Sequence, residues 1–467
     1  MFFIKIAKNH LIYYKTNINN LYNRKYMGHI TSKSYLDLQK RLEKSPQGAP
    51  ASESLFKILE ILFTEKEAKL VSALPIKFFT AKKAAKIWKV EEKKAKEILN
   101  ELSDKGILLD IKKGNEQEYI LAPTMAGFFE FSIMRTDGKF DRKILSELFH
   151  QYINVEEDFV PRVLGLDPCI ARTFIQEKTL QKKHESIILD YERASNVIKT
   201  ASCITVGTCY CRHKMEHKGK ACKMPQDVCL TFNNAAKSLS KHGIAKKITK
   251  KEAMKVLDRC VEHGLVQVGD NIQDHVGWIC NCCGCCCEAL LAYKKLGYNM
   301  KINSNFFAEI NDEKCKNCGV CAKKCPVDAI DHKDLKKIPK ISVENCIGCG
   351  VCTRFCPTKC MKMERRSETK FVPKDTFERF IVCAINEGKL QNLIFDNFSL
   401  WTNEVLRRFV GIIFKLPPAK QLLANKQLQS KFLATAFKSH KSDEYRKTMH
   451  EKAIKTRYDH PELKKKH

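Results

Sequence analysis

Eight cysteines between positions 315 and 356 carry the most specific chemistry in the chain. They fall into two runs, KCKNCGVCAKKCPVDAI and NCIGCGVCTRFCPTKCM, related by an offset of thirty-one residues. Each run reads C-x2-C-x2-C-x3-C-P, a spacing by which cysteine thiolates hold [4Fe–4S] cubanes. Three cysteines spaced three residues apart wrap a tight loop, so three sulfurs converge on three corners of one cube and leave the fourth corner open. Pro326 and Pro357 fix φ and turn the chain away after the last cysteine of each run, and Gly319 and Gly350 are expected to let the backbone approach the sulfide. Zinc sites made only of cysteine also use C-x2-C pairs. Four ligands in one run, twice, each run ending in proline, match the cubane pattern better.

A second layer of cysteines lies upstream. Cys209, Cys211, Cys222 and Cys229 occupy one segment, and ICNCCGCCC supplies Cys280, Cys282, Cys283, Cys285, Cys286 and Cys287. Neighbouring residues on a strand point to opposite faces, so the six cysteines at 280–287 are expected to serve more than one site or to include non-ligands. The simplest grouping is one further [4Fe–4S] cluster on Cys209, Cys211, Cys222 and Cys229, and a second on part of the 280–287 run. Structural zinc and a thiol–disulfide redox centre are the competing readings. Cys169, Cys203 and Cys260 read as small core residues. His213, His217, His242, His263 and His275 lack a ligand-pair spacing relative to these cysteines, and Arg212 is placed to donate to a cluster sulfide.

The tandem motif resembles that of two-cluster bacterial ferredoxins. The resemblance implies that the fourth cysteine of each run crosses to the other cluster. Cys315, Cys318, Cys321 and Cys356 would then bind one [4Fe–4S] cluster, and Cys346, Cys349, Cys352 and Cys325 the other. Over residues 35–415 the order of parts is similar to a family of 4Fe-4S, ferredoxin-type proteins of anaerobic bacteria. The shared features are APASESLFKILEILF, the TCYCRHKMEHKGKAC and VCLTF segments, ICNCCGCCC and the tandem motif. That wider likeness implies cluster binding and no particular reaction.

The surrounding elements divide the chain of 467 residues into an α+β, multidomain arrangement. Residues 1–50 read as a poorly ordered leader and linker, with Met27 as a possible true start. Residues 51–135 give helices and then a hairpin about Gly114 and Asn115, an order that resembles a winged helix. The helices are marked by the Thr64/Glu67 capping box, by Thr80 and by a stop at Gly106. Residues 136–200 read as a helical connector, including a helix through Ile187, Tyr191, Ala194 and Ile198. The cysteine-rich module spans 201–300, a (βαβ)2-type dicluster ferredoxin domain 305–366, and a helical arm with a basic tail 370–467. Cys360 aligns with Ala329 across the repeat and is expected to be packing.

Composition narrows the function. Twenty-three cysteines without an export signal point to thiolate–metal chemistry in a reducing, cytoplasmic setting. No apolar run is long enough to span a membrane. The formal net charge of +30 favours acidic partners, whether an electron carrier, a nucleic acid or an anionic surface. No nucleotide-binding fingerprint follows a strand, and no side chain is required as catalytic acid, base or nucleophile. The expected function is therefore electron transfer through several clusters together with a separate oxidoreductase, an acidic partner being steered by Lys314, Lys316, Lys323, Lys324 and Arg354. Two alternatives are a redox-sensing winged-helix regulator of DNA and an enzyme with a substrate site at Cys280–Cys287. The region between Pro75 and Pro123 holds no Arg, which speaks against base reading there.

Overall fold

The computed structural model describes residues 31–138, 140–181, 188–296, 300–395 and 403–439. Met27, the leader before residue 31, Ile187 and the basic tail after 439 lie outside these residues. Among the described residues no helix is long and apolar enough to cross a membrane.

The N-terminal part is built from short, well-capped helices. The helix Glu53–Leu62 begins at Ser52, whose hydroxyl accepts from Leu55 N, and buries Leu55, Ile58, Leu59 and Leu62. The helix Glu65–Ser72 opens with the expected reciprocal box, Thr64 and Glu67 each capping the other's backbone N–H. Strand β1 (Phe79–Thr80) leads into the helices Ala81–Trp88 and Glu92–Asp104. Strands β2 (Leu108–Lys113) and β3 (Glu116–Leu121) then form a hairpin, and β1 pairs with β3. The middle of β2 does not stand free, although the turn about Gly114 is exposed. Ser238 and Lys241, on the helix Asn233–Lys241, and His242 just past its end all bond the Asp110 carboxylate.

The middle of the chain is organised by a six-stranded antiparallel sheet, which the sequence reading did not foresee as one unit. Its strands are β4 (Ala171–Thr173), β5 (Ile204–Thr208), β6 (Asp227–Phe232), β7 (Lys246–Lys247), β8 (Val266–Asp270) and β9 (Trp278–Cys282), in the order β4-β8-β9-β6-β5-β7. The expected helix through Tyr191, Ala194 and Ile198 is shorter than its periodicity suggested. Only Ala194–Thr200 is α-helical, preceded by a 3-10 turn at Asp190–Glu192. That helix and Lys250–Glu262, opened by its Thr249/Glu252 box, cover one sheet face with Ala194, Ile198, Ala253 and Leu257 against Ile204, Leu230, Phe232 and Ile279.

Strand alternation sends Cys229, Cys280 and Cys282 to the opposite face. The register pairs Leu230 with Ile279 and Val266 with Cys282. That face meets the helices Phe129–Met134, Arg142–His150, Tyr210–His217 and Glu288–Leu296.

Past residue 300, two strand–helix–strand halves follow. Strands β10 (Phe306–Ile310) and β13 (Met361–Arg365) pair antiparallel, as do β11 (Ile330–Asp331) and β12 (Lys340–Ile341). The short helices Val320–Lys324 and Val351–Arg354 lie between them. A helical arm, Thr376–Asn386, Leu390–Phe395, Asn403–Lys415 and Pro418–Ser439, packs through Ile381, Ala384, Ile385, Phe409 and Ile412.

Candidate metal centres

The two halves after residue 300 enclose two small cavities, each lined by a quartet of motif cysteines. Cys315, Cys318, Cys321 and Cys356 line one, with Ile310, Pro339 and Met361 as apolar walls. Cys325, Cys346, Cys349 and Cys352 line the other, with Ala308, Val327, Ile330 and Ile347. Each cavity takes three cysteines from one run and the last cysteine of the other, because each run turns away at its proline. The donor set and the apolar walls fit a cubane, which needs four thiolates and little else. Burial pushes the Cys349 and Cys352 thiols up. Such groups ionise when a cation stands beside them, as iron would.

The cavities differ in exposure. Cys318 is exposed, whereas Cys349 and Cys352 are buried. Gly319 and Gly350 have φ of +68° and +84°, and a Cβ on either would run into His332 or Thr179. Both sit in a left-handed turn packed closely on neighbouring side chains, which a side chain would not fit. Cys360 is buried as expected for packing, yet it also lines the first cavity, with its Sγ 3.4 Å from that of Cys356.

The upstream layer sorts its ten cysteines differently from the simplest sequence grouping. Cys222 does not join Cys209, Cys211 and Cys229; it stands with Cys283, Cys285 and Cys286, all four sulfurs lying within 4.8 Å of one another. The other six form one chain of neighbouring thiols, with Cys209 beside Cys211, Cys211 beside Cys287, Cys287 beside Cys282, Cys282 beside Cys280, and Cys280 beside Cys229. The Cys287 to Cys282 distance is 3.2 Å. The run at 280–287 thus does serve two groups. Cys280 and Cys282 share a strand face, the turn at 283–286 carries Cys283, Cys285 and Cys286 to the other group, and Cys287 comes back beside Cys282. Cys169, Cys203 and Cys260 are buried, as the core reading expected.

Three polar groups hold this layer together. Arg212, only 1% exposed, donates from Nη1 and Nη2 to Asn281 O at 3.1 Å, and its Nη1 lies 3.7 Å from Cys283 Sγ. Hydrogen bonds from Cys286 and Arg212 hold the Cys283 thiol down to about 4 against the effect of burial. Lys214 and Glu288 form a fully buried ion pair joined by Asn154. The Glu288 backbone N–H donates to Cys211 Sγ at 3.5 Å. Sequence reasoning missed this pair. Its signal was the placement of a charge directly after CCC and another within CYCRHK, where neighbouring positions are core. The histidines do other work: His213 Nδ1 bonds Ile133 O at 2.8 Å, and His242 bonds Asp104 and Asp110.

Upstream layer and ferredoxin-like halves abut. A Cβ on Gly284 would sit 2.4 Å from Pro326 O, so the turn of the CCGCCC run is pressed against the proline after Cys325. Tyr293 Oη donates to Asn345 O at 3.2 Å, and Gln176 N donates to Cys349 O at 3.0 Å. One continuous core contains Cys282, Cys287 and Cys349, with Cys211, Cys229, Cys280, Cys325 and Cys346 packed against it.

Residues 308–363 match the family model of the 4Fe-4S dicluster domain. The chain is an iron–sulfur protein that binds [4Fe–4S], and the domain supports a role in electron transfer. No curated protein and no solved structure matches the chain.

Proposed function

We propose that the protein relays single electrons through two ferredoxin-type clusters, on the two crossed cysteine quartets, and through further metal in the upstream layer. The observation that carries this reading is the unbroken core joining the six-thiol chain to Cys349, with Gly284 against Pro326. Electron transfer needs redox centres held close in a dry matrix, and the cofactor supplies the chemistry while the fold sets distance, potential and access. On this reading the quartet containing Cys349 is the inner station. The quartet containing the exposed Cys318 is the outer one, where a partner exchanges electrons. Lys314, Lys316, Lys323, Lys324 and Arg354 flank the cluster loops and suit an acidic carrier or oxidoreductase subunit.

The N-terminal region acts on this reading as an internal dock. Its hairpin is tied to the cysteine module through Asp110 in the middle of β2, which fixes the hairpin against the rest of the chain. Its exposed helix face mixes Glu92 and Glu97 with Lys93, Lys94 and Lys96, which leaves little net charge for phosphates.

The test is iron and acid-labile sulfide content of the anaerobically isolated protein, with EPR of the reduced form. About eight irons confine cubanes to the two ferredoxin-type quartets, and about twelve place one more upstream, at four irons per cubane. A reduced protein without interacting [4Fe–4S]+ signals would overturn the relay. So would specific operator binding that responds to cluster oxidation across a salt series.

A further inference from the structure

We infer that Cys222, Cys283, Cys285 and Cys286 hold one tetrahedral divalent ion, zinc or ferrous iron, at a site distinct from every cubane in the chain. Among the described residues no other set of three or more His, Cys, Asp or Glu side chains brings its ligand atoms within 4.8 Å of one another. Cys222 Sγ lies 3.6 Å from Cys283 Sγ, and Cys285 Sγ lies 3.8 Å from Cys286 Sγ. A single ion with metal–sulfur bonds of about 2.3 Å sets tetrahedral thiolates about 3.8 Å apart. A cubane carries each thiolate outward on its own iron and needs room for four sulfides between them. This quartet is too tightly drawn for that.

The surroundings fit a four-thiolate ion. Four thiolates around a divalent cation leave two negative charges, and the Arg212 guanidinium beside Cys283 offsets part of them. Arg212 Nε is buried without a hydrogen-bond partner, so the guanidinium keeps donor capacity to spare. Met215, Val228, Cys260 and Leu265 form the dry side, and Cys285 is exposed, which gives an ion a way in. The ion would tie the loop carrying Cys222 to the turn at 283–286. That same turn presses Gly284 onto Pro326, so the ion would fix the distance between the six-thiol chain and the inner ferredoxin quartet. The proposal refines the upstream part of the relay and needs nothing from the ferredoxin clusters themselves.

The experiment uses the full chain, isolated anaerobically, with zinc, iron and acid-labile sulfide measured together. The double substitution Cys283→Ser with Cys286→Ser should remove one zinc or one iron per chain, with sulfide unchanged and the ferredoxin EPR signals intact. Loss of about four irons with their sulfide would identify a cubane there and overturn the proposal, as would unchanged metal content. Should the variant fail to fold, the wild-type protein decides. Zinc-edge X-ray absorption should give four sulfurs at about 2.3 Å with no metal neighbour, or Mössbauer spectra should show a lone high-spin ferrous tetrathiolate doublet. Absence of both signatures overturns it. Absence of ferredoxin EPR signals with the lone ion present would instead defeat the relay and leave this site standing.

Discussion

The two cysteine-rich regions solve the same problem, gathering thiolates in a dry place, by opposite routes. After residue 300 each quartet draws three sulfurs from one tight loop and a fourth from a chain crossing, so the ligands are local and their spacing is the site. Upstream, the sulfurs come from the end of β5, the first turn of Tyr210–His217, the loop carrying Cys222, strands β6 and β9, and the 283–287 turn. There the sheet assembles the site, and sequence spacing is a by-product. Loops that bind by spacing are readable from one line of sequence. Sites assembled by strand register are not, because register is set by the whole hydrophobic pattern.

The sharpest way to break this contrast is Cys325→Ser. If each quartet is crossed, the variant should lose about four irons and four sulfides, from the inner cluster on Cys346, Cys349 and Cys352. The outer cluster on Cys315, Cys318, Cys321 and Cys356 should keep its EPR signal, now free of its interaction partner. Loss of the outer cluster instead would mean that each run serves one cluster entirely, and the local reading would have to be redrawn.

A smaller effect is expected from the ion pair that locks the upstream layer. Lys214 and Glu288 are at most 1% exposed, and Asn154 bonds both. Lys214→Met would leave a carboxylate buried without its partner, a change that costs about 3–5 kcal/mol. Amide hydrogen exchange in the helix Glu288–Leu296 should report that loss as easier opening, and Cys211 should lose its fixed N–H donor. Adding Glu288→Leu should recover much of the loss, because two apolar residues replace two charges. Opening energies that stay within about 1 kcal/mol of the wild type would show that the layer is held by its metal and not by this pair.

These regions also mark how far the sequence carried. Capping boxes at Thr64/Glu67 and Thr249/Glu252, the hairpin about Gly114, and the strand at Val266 are each written in a few adjacent residues, and each is present in the structure. The six-stranded sheet was not legible. Its edge strand β4 is three residues long inside the stretch read as a helical connector, and its partner β8 lies almost a hundred residues away. The division of the 280–287 cysteines into two groups followed from strand alternation. The reassignment of Cys222 did not, because that residue sits in a loop with no period to read. Arg212 was singled out as a donor, while Lys214, two positions on, was not.

The smallest effect concerns the dock between the hairpin and the cysteine module, and it has a sign that pH can test. Burial raises the Asp110 carboxyl, but hydrogen bonds from His242, Lys241 and Ser238 outweigh it and hold the group well below the usual carboxylate range. Burial lowers His242, but its bonds to Asp110 and Asp104 outweigh that and raise it above the ordinary histidine value. A depressed carboxylate contributes stability that is present above its unfolded pKa, near 4, and is lost as pH falls through the lower folded value. A raised histidine contributes stability that is full below its unfolded pKa, near 6.5, and is lost as pH rises through the folded value. The dock should therefore be tightest between about pH 4 and 6.5 and should loosen on the alkaline side as His242 gives up its proton. Hydrogen exchange of β2 and β3, corrected for the intrinsic rate and followed from pH 6 to 8.5, should show this loosening in the native chain. In His242→Asn the dock should be weaker at pH 6 and its pH dependence largely gone. A wild-type profile flat across that range would show that Lys241 and Ser238 hold Asp110 by themselves.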